Sequence, residues 1–330
     1  MTLSCGRTKY SNYDSNWNKE CFLALLRRQN AVGFICVAPL FLLSCVSPKE
    51  ISEPATVSFS TIATGLPSVH SVTIVEPNTY AVSHVTAEGK SVISKIKKGV
   101  QEVVLTSLDA ARGISYDERR AQLHVADGKA LKIFKWKKPT LEPTVVLIPT
   151  DHYIGDVAFS TIRGLTYATD PEGRTIWEIE PKKKTVRAIV TAENFDALKV
   201  GFPSRLLPSN DGRRLYITTT NSAAGNTGGA AIVVAELKQG GVRVIQSFSG
   251  LTCLDGLGLF RDHFIVSDCK SGAIRSVLIK NGDLKEFPVP PDLSTTPVSL
   301  TIDNNDAVLA VQPNDGSPGS LLRFVLKIKA

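Results

Sequence analysis

Residues 254–269, LDGLGLFRDHFIVSDC, have the sequence pattern of a β-hairpin. Apolar residues alternate with small or polar ones in both halves, and the polar pair Arg261-Asp262 separates the halves. Alternation with a period of two is typical of strands, and a polar pair between two such runs predicts a tight turn. The second half ends on a small residue and a polar one, Ser267-Asp268. We therefore expect two antiparallel strands here.

The same layout recurs along the chain. Three further stretches share it: ARGISYDERRAQLHVAD (residues 111–127), GDVAFSTIRGLTYATD (155–170) and PSRLLPSNDGRRLYITTTN (203–221). Two weaker copies are SVHSVTIVEPNTYAVSH (68–84) and PVSLTIDNNDAVLAVQ (297–312). The predicted second strands end at His84, Asp127, Asp170, Asn221, Asp268 and Gln312, in steps of 43, 43, 51, 47 and 44 residues. Self-similarity at such a period indicates a repeat architecture of six units.

Each unit contains a second hairpin, as in ALKIFKWKK (130–138) followed by PTVVLIPT (143–150). Four antiparallel strands in each unit of 40 to 50 residues are typical of a propeller blade. The last unit lacks its fourth strand, which we expect TVSFSTIATG (56–65) to supply as the outer strand, closing the ring. From Val57 onward no convincing helical period is found, and the sequence thus predicts an all-β, six-bladed β-propeller over residues 56–330. A pair of β-sandwiches is the alternative, although it does not explain six comparable units.

The first 45 residues predict export. An uncharged apolar run, AVGFICVAPLFLL (31–43), follows Arg27-Arg28 and leads into LLSC (42–45). This order is typical of a secretory signal, and the run is too short for a transmembrane helix. LLSC resembles the bacterial lipobox, which implies that Cys45 is acylated. Val46 after that cysteine implies the outer membrane, facing the periplasm, and residues 46–55 are expected to form a tether.

The charge of the chain does not favour nucleic acid as a partner. The formal net charge is +7, but +3 of it lies in residues 1–45. The one dense basic run, Lys182 to Lys184, follows Pro181 in a predicted hairpin turn. A nucleic-acid binder usually concentrates its cations on one face with interleaved aromatic residues. We therefore expect no nucleic-acid partner.

Residues 203–221 and 254–268 resemble the blades of the senescence marker protein and gluconolactonase family, and of the related NHL and strictosidine-synthase-like propellers. The resemblance implies six blades and, in lactonase members, a divalent cation such as Ca²⁺ held by a glutamate, an asparagine and an aspartate. Asp255 matches the aspartate, as a metal ligand and catalytic group. Ser204 replaces the asparagine, Arg205 replaces the glycine after it, and the glutamate is absent near His70. The resemblance therefore implies a degenerate site, and no cofactor is assigned with certainty.

Function is expected where the inner strands begin, because loops at one end of a propeller collect around its central channel. The expected ligand-binding residues there are His70, Arg112, Asp156, Ser204, Arg205 and Asn221. Structural roles remain open as alternatives to ligand binding. Arg112 and Arg205 can instead pair with Asp156 and Asp255. His70 and His84 can instead be ordinary hydrogen-bonded residues. Asp127, Asp170 and Asp268 are expected to bind backbone amides of turns. The insertions at 191–202 and 221–231 lie at this same end.

Two cysteines remain in the predicted mature chain besides Cys45. Cys253 and Cys269 bracket the hairpin centred on Arg261-Asp262, so antiparallel pairing brings them nearly opposite each other. This geometry predicts a disulfide, which suits an oxidising periplasm. A reactive thiol pair is the alternative.

Three functions remain open at this stage. The favoured one is a cell-envelope lipoprotein that binds a small molecule at the channel mouth. The second is a divergent metal-dependent hydrolase of lactones or esters that uses Asp255. The third is a scaffold that binds another envelope protein. The fold alone does not decide between enzyme and binding protein.

Overall fold

The computed structural model confirms an all-β architecture of six four-stranded antiparallel sheets. It describes residues 59–221, 229–238, 240–248, 253–279, 284–287, 295–304, 306–313 and 316–326. All described strands belong to the compact unit Ser52–Ala330. The predicted export signal with Cys45, the tether and residues 222–228 of the second insertion lie outside the described residues.

The strands follow one another as six blades. The first strand, β1 (Phe59–Leu66), precedes blade 1, which contains β2 (Val69–Glu76), β3 (Thr79–Val85), β4 (Ser91–Lys97) and β5 (Val100–Leu108). Blade 2 contains β6 (Ala111–Asp117), β7 (Gln122–Asp127), β8 (Ala130–Lys135) and β9 (Thr144–Leu147). Blade 3 contains β10 (Val157–Ser160), β11 (Leu165–Asp170), β12 (Thr175–Glu180) and β13 (Thr185–Val190).

The second half of the ring repeats this order. Blade 4 contains β14 (Phe202–Pro208), β15 (Arg214–Thr220), β16 (Ala230–Glu236) and β17 (Gly241–Phe248). Blade 5 contains β18 (Leu254–Phe260), β19 (His263–Asp268), β20 (Ile274–Leu278) and β21 (Leu284–Phe287). Blade 6 contains β22 (Thr295–Asp303), β23 (Asp306–Pro313) and β24 (Gly319–Val325), with β1 as its outer strand. The inner strand of each blade contacts that of the next, and β22 contacts β2, so the ring closes.

The ring closes as the sequence predicts. Strand β1 pairs antiparallel with β24, with Phe59 opposite Phe324 and Leu66 opposite Gly319. The sheet order β1-β24-β23-β22 makes β1 the outer strand of blade 6. Residues 56–58 of the predicted closing segment lie outside the described residues.

The hydrophobic core is divided into six clusters, one between each pair of adjacent blades. Side chains of a strand alternate between its two faces. In β16, Ala231 and Val233 therefore pack towards blade 3, whereas Ile232 and Val234 pack towards blade 5. Both faces of the middle strands are buried, which explains why AAIVVA (230–235) is apolar at every position.

One short helix accompanies the strands of the propeller, in a stretch of sequence that shows no convincing helical period. Helix α1 (Ala192–Leu198) occupies the first insertion, between blades 3 and 4. Asn194 Oδ1 accepts the backbone N–H of Thr191 at 2.9 Å, which stabilises the start of the helix. The fully buried Phe195 packs in the cluster between these blades. Within the described part of the chain, no helix has the length and apolar character needed to cross a bilayer.

Candidate functional site

The six inner strands begin on one face of the ring, here called the mouth face. Five of the predicted residues on this face line one cavity of about 390 Å³, here called the mouth cavity: His70, Arg112, Ser204, Arg205 and Asp255. The other lining residues are Val69, Gly155, Pro171, Pro203, Thr220 and Val298. The structure therefore brings together side chains whose sequence positions are far apart.

Two predicted ligand-binding residues do not line the mouth cavity. Asp156 lines a second cavity of about 340 Å³ further along the channel, together with Arg205. Thr220 lines the mouth cavity in place of its neighbour Asn221. Among the described residues, Asn221 Oδ1 is buried without a hydrogen-bond partner.

Arg205 lies between the two cavities and binds two carboxylates. Its Nε donates to the Asp255 carbonyl oxygen at 2.7 Å and lies 3.2 Å from Asp255 Oδ1. Its Nη1 donates to Asp156 Oδ1 at 3.4 Å. The alternative in which Arg205 pairs with both aspartates is therefore what the structure shows.

The same guanidinium reaches the opposite side of the ring. Arg205 Nη2 donates to the carbonyl oxygens of His70, at 2.8 Å, and Val298. One side chain of blade 4 is thus hydrogen-bonded to blades 1, 3, 5 and 6. A planar guanidinium with five donors can make such contacts, whereas a lysine ammonium cannot span them. We call these contacts the Arg205 network.

Charge pairing stabilises the ionised form of Arg205. Burial by itself lowers the pKa of an arginine, but Asp255 and Asp156 outweigh it, and the pKa of Arg205 is raised above its ordinary value. Burial raises the pKa of Asp156, against the opposing effects of Arg205 and of the Leu206 N–H that donates to Asp156 Oδ2 at 3.0 Å. The network is therefore an internally compensated cluster rather than a free binding group.

Hydrogen bonds between neighbouring inner strands hold the channel wall together. Side chains of one inner strand accept backbone N–H groups of an adjacent one: Ser299 from Val72 (3.2 Å), Ser71 from Ile114 (3.4 Å) and Ser115 from Phe159 (3.0 Å). Gly113 N–H donates to the Gly155 carbonyl at 3.0 Å, and a side chain at Gly113 would collide with the backbone of Asp156. These bonds and this close approach connect the inner strands of adjacent blades along the channel wall.

His70 and Arg112 form a different part of the mouth cavity. Burial, followed by the nearby positive charges of Arg112 and Arg205, lowers the pKa of His70 to about 4. The His70 imidazole is therefore neutral at pH 7. The exposed Arg112 guanidinium lies 5.5 Å from the centre of the Tyr153 ring, a cation–π arrangement. The sequence analysis did not identify Tyr153, which belongs to the loop between β9 and β10.

The residues around Asp255 do not fit the cation implied by the resemblance. Ser204 donates from Oγ to Asp255 Oδ1 at 2.9 Å, so it orients the carboxylate. The Arg205 guanidinium supplies the positive charge beside that carboxylate. Ca²⁺ requires six to eight oxygen ligands, and no three His, Cys, Asp or Glu side chains among the described residues are grouped so as to hold a metal ion.

The other polar residues predicted at this face have structural contacts. Asp127 accepts the backbone N–H groups of Asp109 (3.1 Å) and Ala110 (2.6 Å). Asp170 accepts that of Gly173 at 2.7 Å, and Asp268 that of Lys270 at 3.0 Å. His84 is buried, and its Nε2 lies 2.8 Å from Ser94 Oγ. The turn-binding aspartates and the hydrogen-bonded His84 agree with the sequence analysis.

The predicted disulfide is present. Cys253 and Cys269 are bonded across the hairpin of β18 and β19, with their Cα atoms 5.5 Å apart. Cys253 lies two residues before Asp255 in the sequence. The disulfide therefore covalently ties the start of β18 to the end of β19 at the mouth face.

The fold and the closed channel together define a six-bladed β-propeller. No protein-family profile matches the chain, and no curated protein matches it. Among solved structures, it is similar to a structural genomics protein of unknown function from Bacteroides thetaiotaomicron VPI-5482, with 13% identity and a TM-score of 0.63 over 82% of this chain and 76% of that chain. It is also similar to a chain of a nidogen/laminin complex, with 11% identity and a TM-score of 0.57 over 72% of this chain and 96% of that chain. Likenesses at this identity show the fold alone.

Proposed function

We propose that the protein binds a small molecule in the mouth cavity and does not hydrolyse it. The mouth cavity carries this proposal, because its volume of about 390 Å³ lies within the range typical of ligand pockets. Its wall combines apolar side chains such as Val69 with a few polar groups. The Arg205 network fixes the inner end of the cavity, so the site is formed before a ligand arrives.

A lactonase-like activity is the weaker proposal. In the resembling family, catalysis depends on a bound cation, and Asp255 is the one ligand retained here. In this chain Asp255 accepts a hydrogen bond from Ser204 and pairs with Arg205. A second positive charge beside that guanidinium would be repelled. The features that replace the cation site thus favour a binding protein with a degenerate lactonase site.

We propose in addition a cellular location for the protein. The basic pair Arg27-Arg28, the apolar run and the LLSC sequence support export and acylation of Cys45. Such a protein would be anchored by lipid in the cell envelope, on the outer membrane facing the periplasm. The Cys253–Cys269 disulfide suits that oxidising compartment.

The proposal is tested by a thermal-unfolding screen of the protein against sugars, lactones, carboxylates and phosphates, each with and without Ca²⁺, Mg²⁺, Mn²⁺ or Zn²⁺. We expect at least one compound to raise the unfolding midpoint without a metal. A ligand at a hundred times its dissociation constant stabilises by about 2.7 kcal/mol. The matched variant Thr220→Phe fills part of the mouth cavity and should abolish this shift.

The screen separates the candidate functions. A shift that persists in Thr220→Phe would contradict binding in the mouth cavity. A shift that requires a cation and disappears in Asp255→Ala would support the hydrolase instead. If no compound shifts the midpoint, small-molecule binding is contradicted.

A scaffold that binds an envelope protein is the second candidate. Four of the exposed large apolar side chains fall within residues 141–153: Leu141, Val145, Leu147 and Tyr153. Leu147 lies on β9, the outer strand of blade 2, whose outer edge pairs with no other described strand, and such an edge is a typical site for an added strand. One of the similar structures is a nidogen/laminin complex. This candidate becomes the leading one if the small-molecule screen fails.

A further inference from the structure

The two guanidinium groups of the mouth cavity differ in their counter-ions. Arg205 is paired with Asp156 and Asp255. Arg112 has no carboxylate within ion-pairing distance among the residues that the structure describes. Its positive charge is therefore the uncompensated one on the cavity wall.

Tyr153 and Ser83 hold Arg112 without neutralising it. The Tyr153 ring lies 5.5 Å from the guanidinium carbon, which orients the guanidinium plane but supplies no negative charge. Ser83 Oγ donates to the Arg112 carbonyl oxygen, so the backbone at the start of β6 is fixed. The guanidinium N–H groups make no hydrogen bond to another of the described residues and can donate to a ligand. Two parallel N–H donors match the two oxygens of a carboxylate.

His70 adds hydrogen-bonding capacity to the same cavity. Its ring has no hydrogen bond to any of the described residues, and at pH 7 it carries no charge. A neutral imidazole offers one donor and one acceptor. It can therefore bind a polar ligand but cannot neutralise a second negative charge.

Asp255 limits the charge of the ligand. Its Oδ1 accepts from Ser204 and lies beside Arg205, whereas Oδ2 has no partner among the described residues. The side chain is 25% exposed. A ligand hydroxyl can donate to this oxygen, but a dianion would be repelled by the carboxylate.

We infer that the mouth cavity binds a small monocarboxylate that carries a hydroxyl group. The ligand carboxylate pairs with Arg112, and its hydroxyl donates to Asp255. His70, which lines the same cavity, supplies a further hydrogen-bonding group for the ligand, and Tyr153 acts only by orienting the Arg112 guanidinium. This inference rests on the proposed function, because it names the class of ligand for the same cavity.

The test uses two carbon skeletons, each in three forms, titrated into the purified protein. Mandelate and lactate carry both groups, their amides lack the charge, and phenylacetate and propionate lack the hydroxyl. We expect both hydroxycarboxylates to bind about tenfold or more tightly than their amides, because charge-assisted hydrogen bonds are the stronger ones. The compounds without a hydroxyl should bind more weakly than their hydroxylated counterparts.

Arg112→Gln should abolish the preference for carboxylate over amide. The matched control is Arg261→Gln, because Arg261 also lies over an aromatic ring, that of Phe260 at 5.2 Å, but at the opposite end of β18. The control should bind as the wild type does. Because the Arg112 side chain is exposed, its substitution should not prevent folding, which an unchanged unfolding midpoint would verify.

The outcomes separate this inference from the proposed function. Equal binding of acids and amides, unchanged mandelate binding in Arg112→Gln, or tighter binding of inorganic phosphate would each overturn the carboxylate inference. If neutral compounds from the screen bind and Thr220→Phe blocks them, the carboxylate inference fails and the proposed function stands. If no compound of either kind binds, both fail.

Discussion

At the scale of single residues, Arg205 is the central contact of the molecule. Removing a guanidinium from water is costly, and the cost is repaid only when its charge and its donors all find partners. Here two carboxylates and three backbone carbonyls meet those requirements. The side chain thus links blade 4 to four other blades, and it lines both the mouth cavity and the second cavity.

Substituting Arg205 should therefore destabilise the whole ring. Arg205→Met keeps much of the side-chain volume but leaves Asp156, 8% exposed, without its cation. We expect a loss of about 3–5 kcal/mol, the usual effect of breaking a buried ion pair. Asp156→Asn should recover part of this loss in the double variant, because the unpaired carboxylate is then absent. Urea denaturation at pH 7 measures the free energy of unfolding of Arg205→Met, Asp156→Asn and the double variant.

The control for the Arg205 variants is Arg214→Met. Arg214 also pairs with a carboxylate, Glu236 at 3.1 Å, but its side chain is 46% exposed. Exposed pairs contribute about 0–1 kcal/mol, so the control should change stability little. If Arg205→Met were as stable as the control, the Arg205 network would not support the ring.

Sequence patterns predicted most of the residues that meet at the site and offered the pairing of Arg205 with both aspartates, but not the other hydrogen bonds of Arg205. The repeats place Arg205, Asp255, Arg112 and His70 at the starts of inner strands, so their common location followed from the period alone. Three acceptors of Arg205 are backbone carbonyls. Because every residue has a backbone carbonyl, the sequence does not indicate which ones accept from Arg205. Tyr153 was missed because it lies in a loop without a repeated counterpart.

At the scale of elements, the hairpin of β18 and β19 presents Asp255 to the mouth cavity. Leu254 pairs with Asp268, which places the flanking cysteines opposite each other. Gly256 follows Asp255, and a side chain there would collide with Ser267 Oγ and press against Leu300. The close packing of this hairpin against its neighbours therefore requires glycine directly beside Asp255.

Removing the disulfide should weaken this element and, through it, the propeller. Cys253→Ser with Cys269→Ser opens a loop with a sequence separation of 16 residues. The chain-entropy model gives a loss of about 3 kcal/mol for a loop of this length. Urea denaturation of a fragment starting at Ser52, with and without reductant, measures it. A thiol count on that folded fragment should find no free cysteine, and two reactive thiols would contradict the disulfide.

The sequence predicted strands far better than it predicted the helix. Strands β3, β7, β11, β15, β19 and β23 each end within one residue of the predicted position, because a small-then-polar ending recurs in the stronger copies. Helix α1 has only seven residues, about two turns, which is too short to show a helical period. The spacing of Thr191 and Asn194 was its one available signal, a pattern typical of a helix start.

At the scale of the whole molecule, stability depends on closing the ring. Each hydrophobic cluster lies between two blades, so no blade has a core of its own. The cluster between blades 6 and 1 includes Ala63 and Leu66 of β1. Strand β1 also covers the outer edge of β24.

A fragment that starts at Pro67 and lacks β1 should consequently be much less stable than one that starts at Ser52. Its loss includes the burial of Leu66, which is fully buried, and the contact of the Phe59 and Phe324 rings, whose centres lie 4.8 Å apart. Leu66→Ala alone should cost about 2–5 kcal/mol, whereas the exposed Thr64→Ala on the same strand should change stability by less than about 0.5 kcal/mol. Thermal unfolding and sedimentation compare the four proteins.

The shorter fragment should also aggregate, because the uncovered edge of β24 offers unpaired backbone groups to other chains. A synthetic peptide of residues 56–66 should restore the unfolding midpoint and suppress aggregation if β1 acts by covering that edge and filling the cluster beside it. Equal midpoints for the fragments starting at Ser52 and Pro67 would mean that five complete blades and three strands suffice. The ring would then not be held by its closing strand, and the Arg205 network would be the main link between its ends.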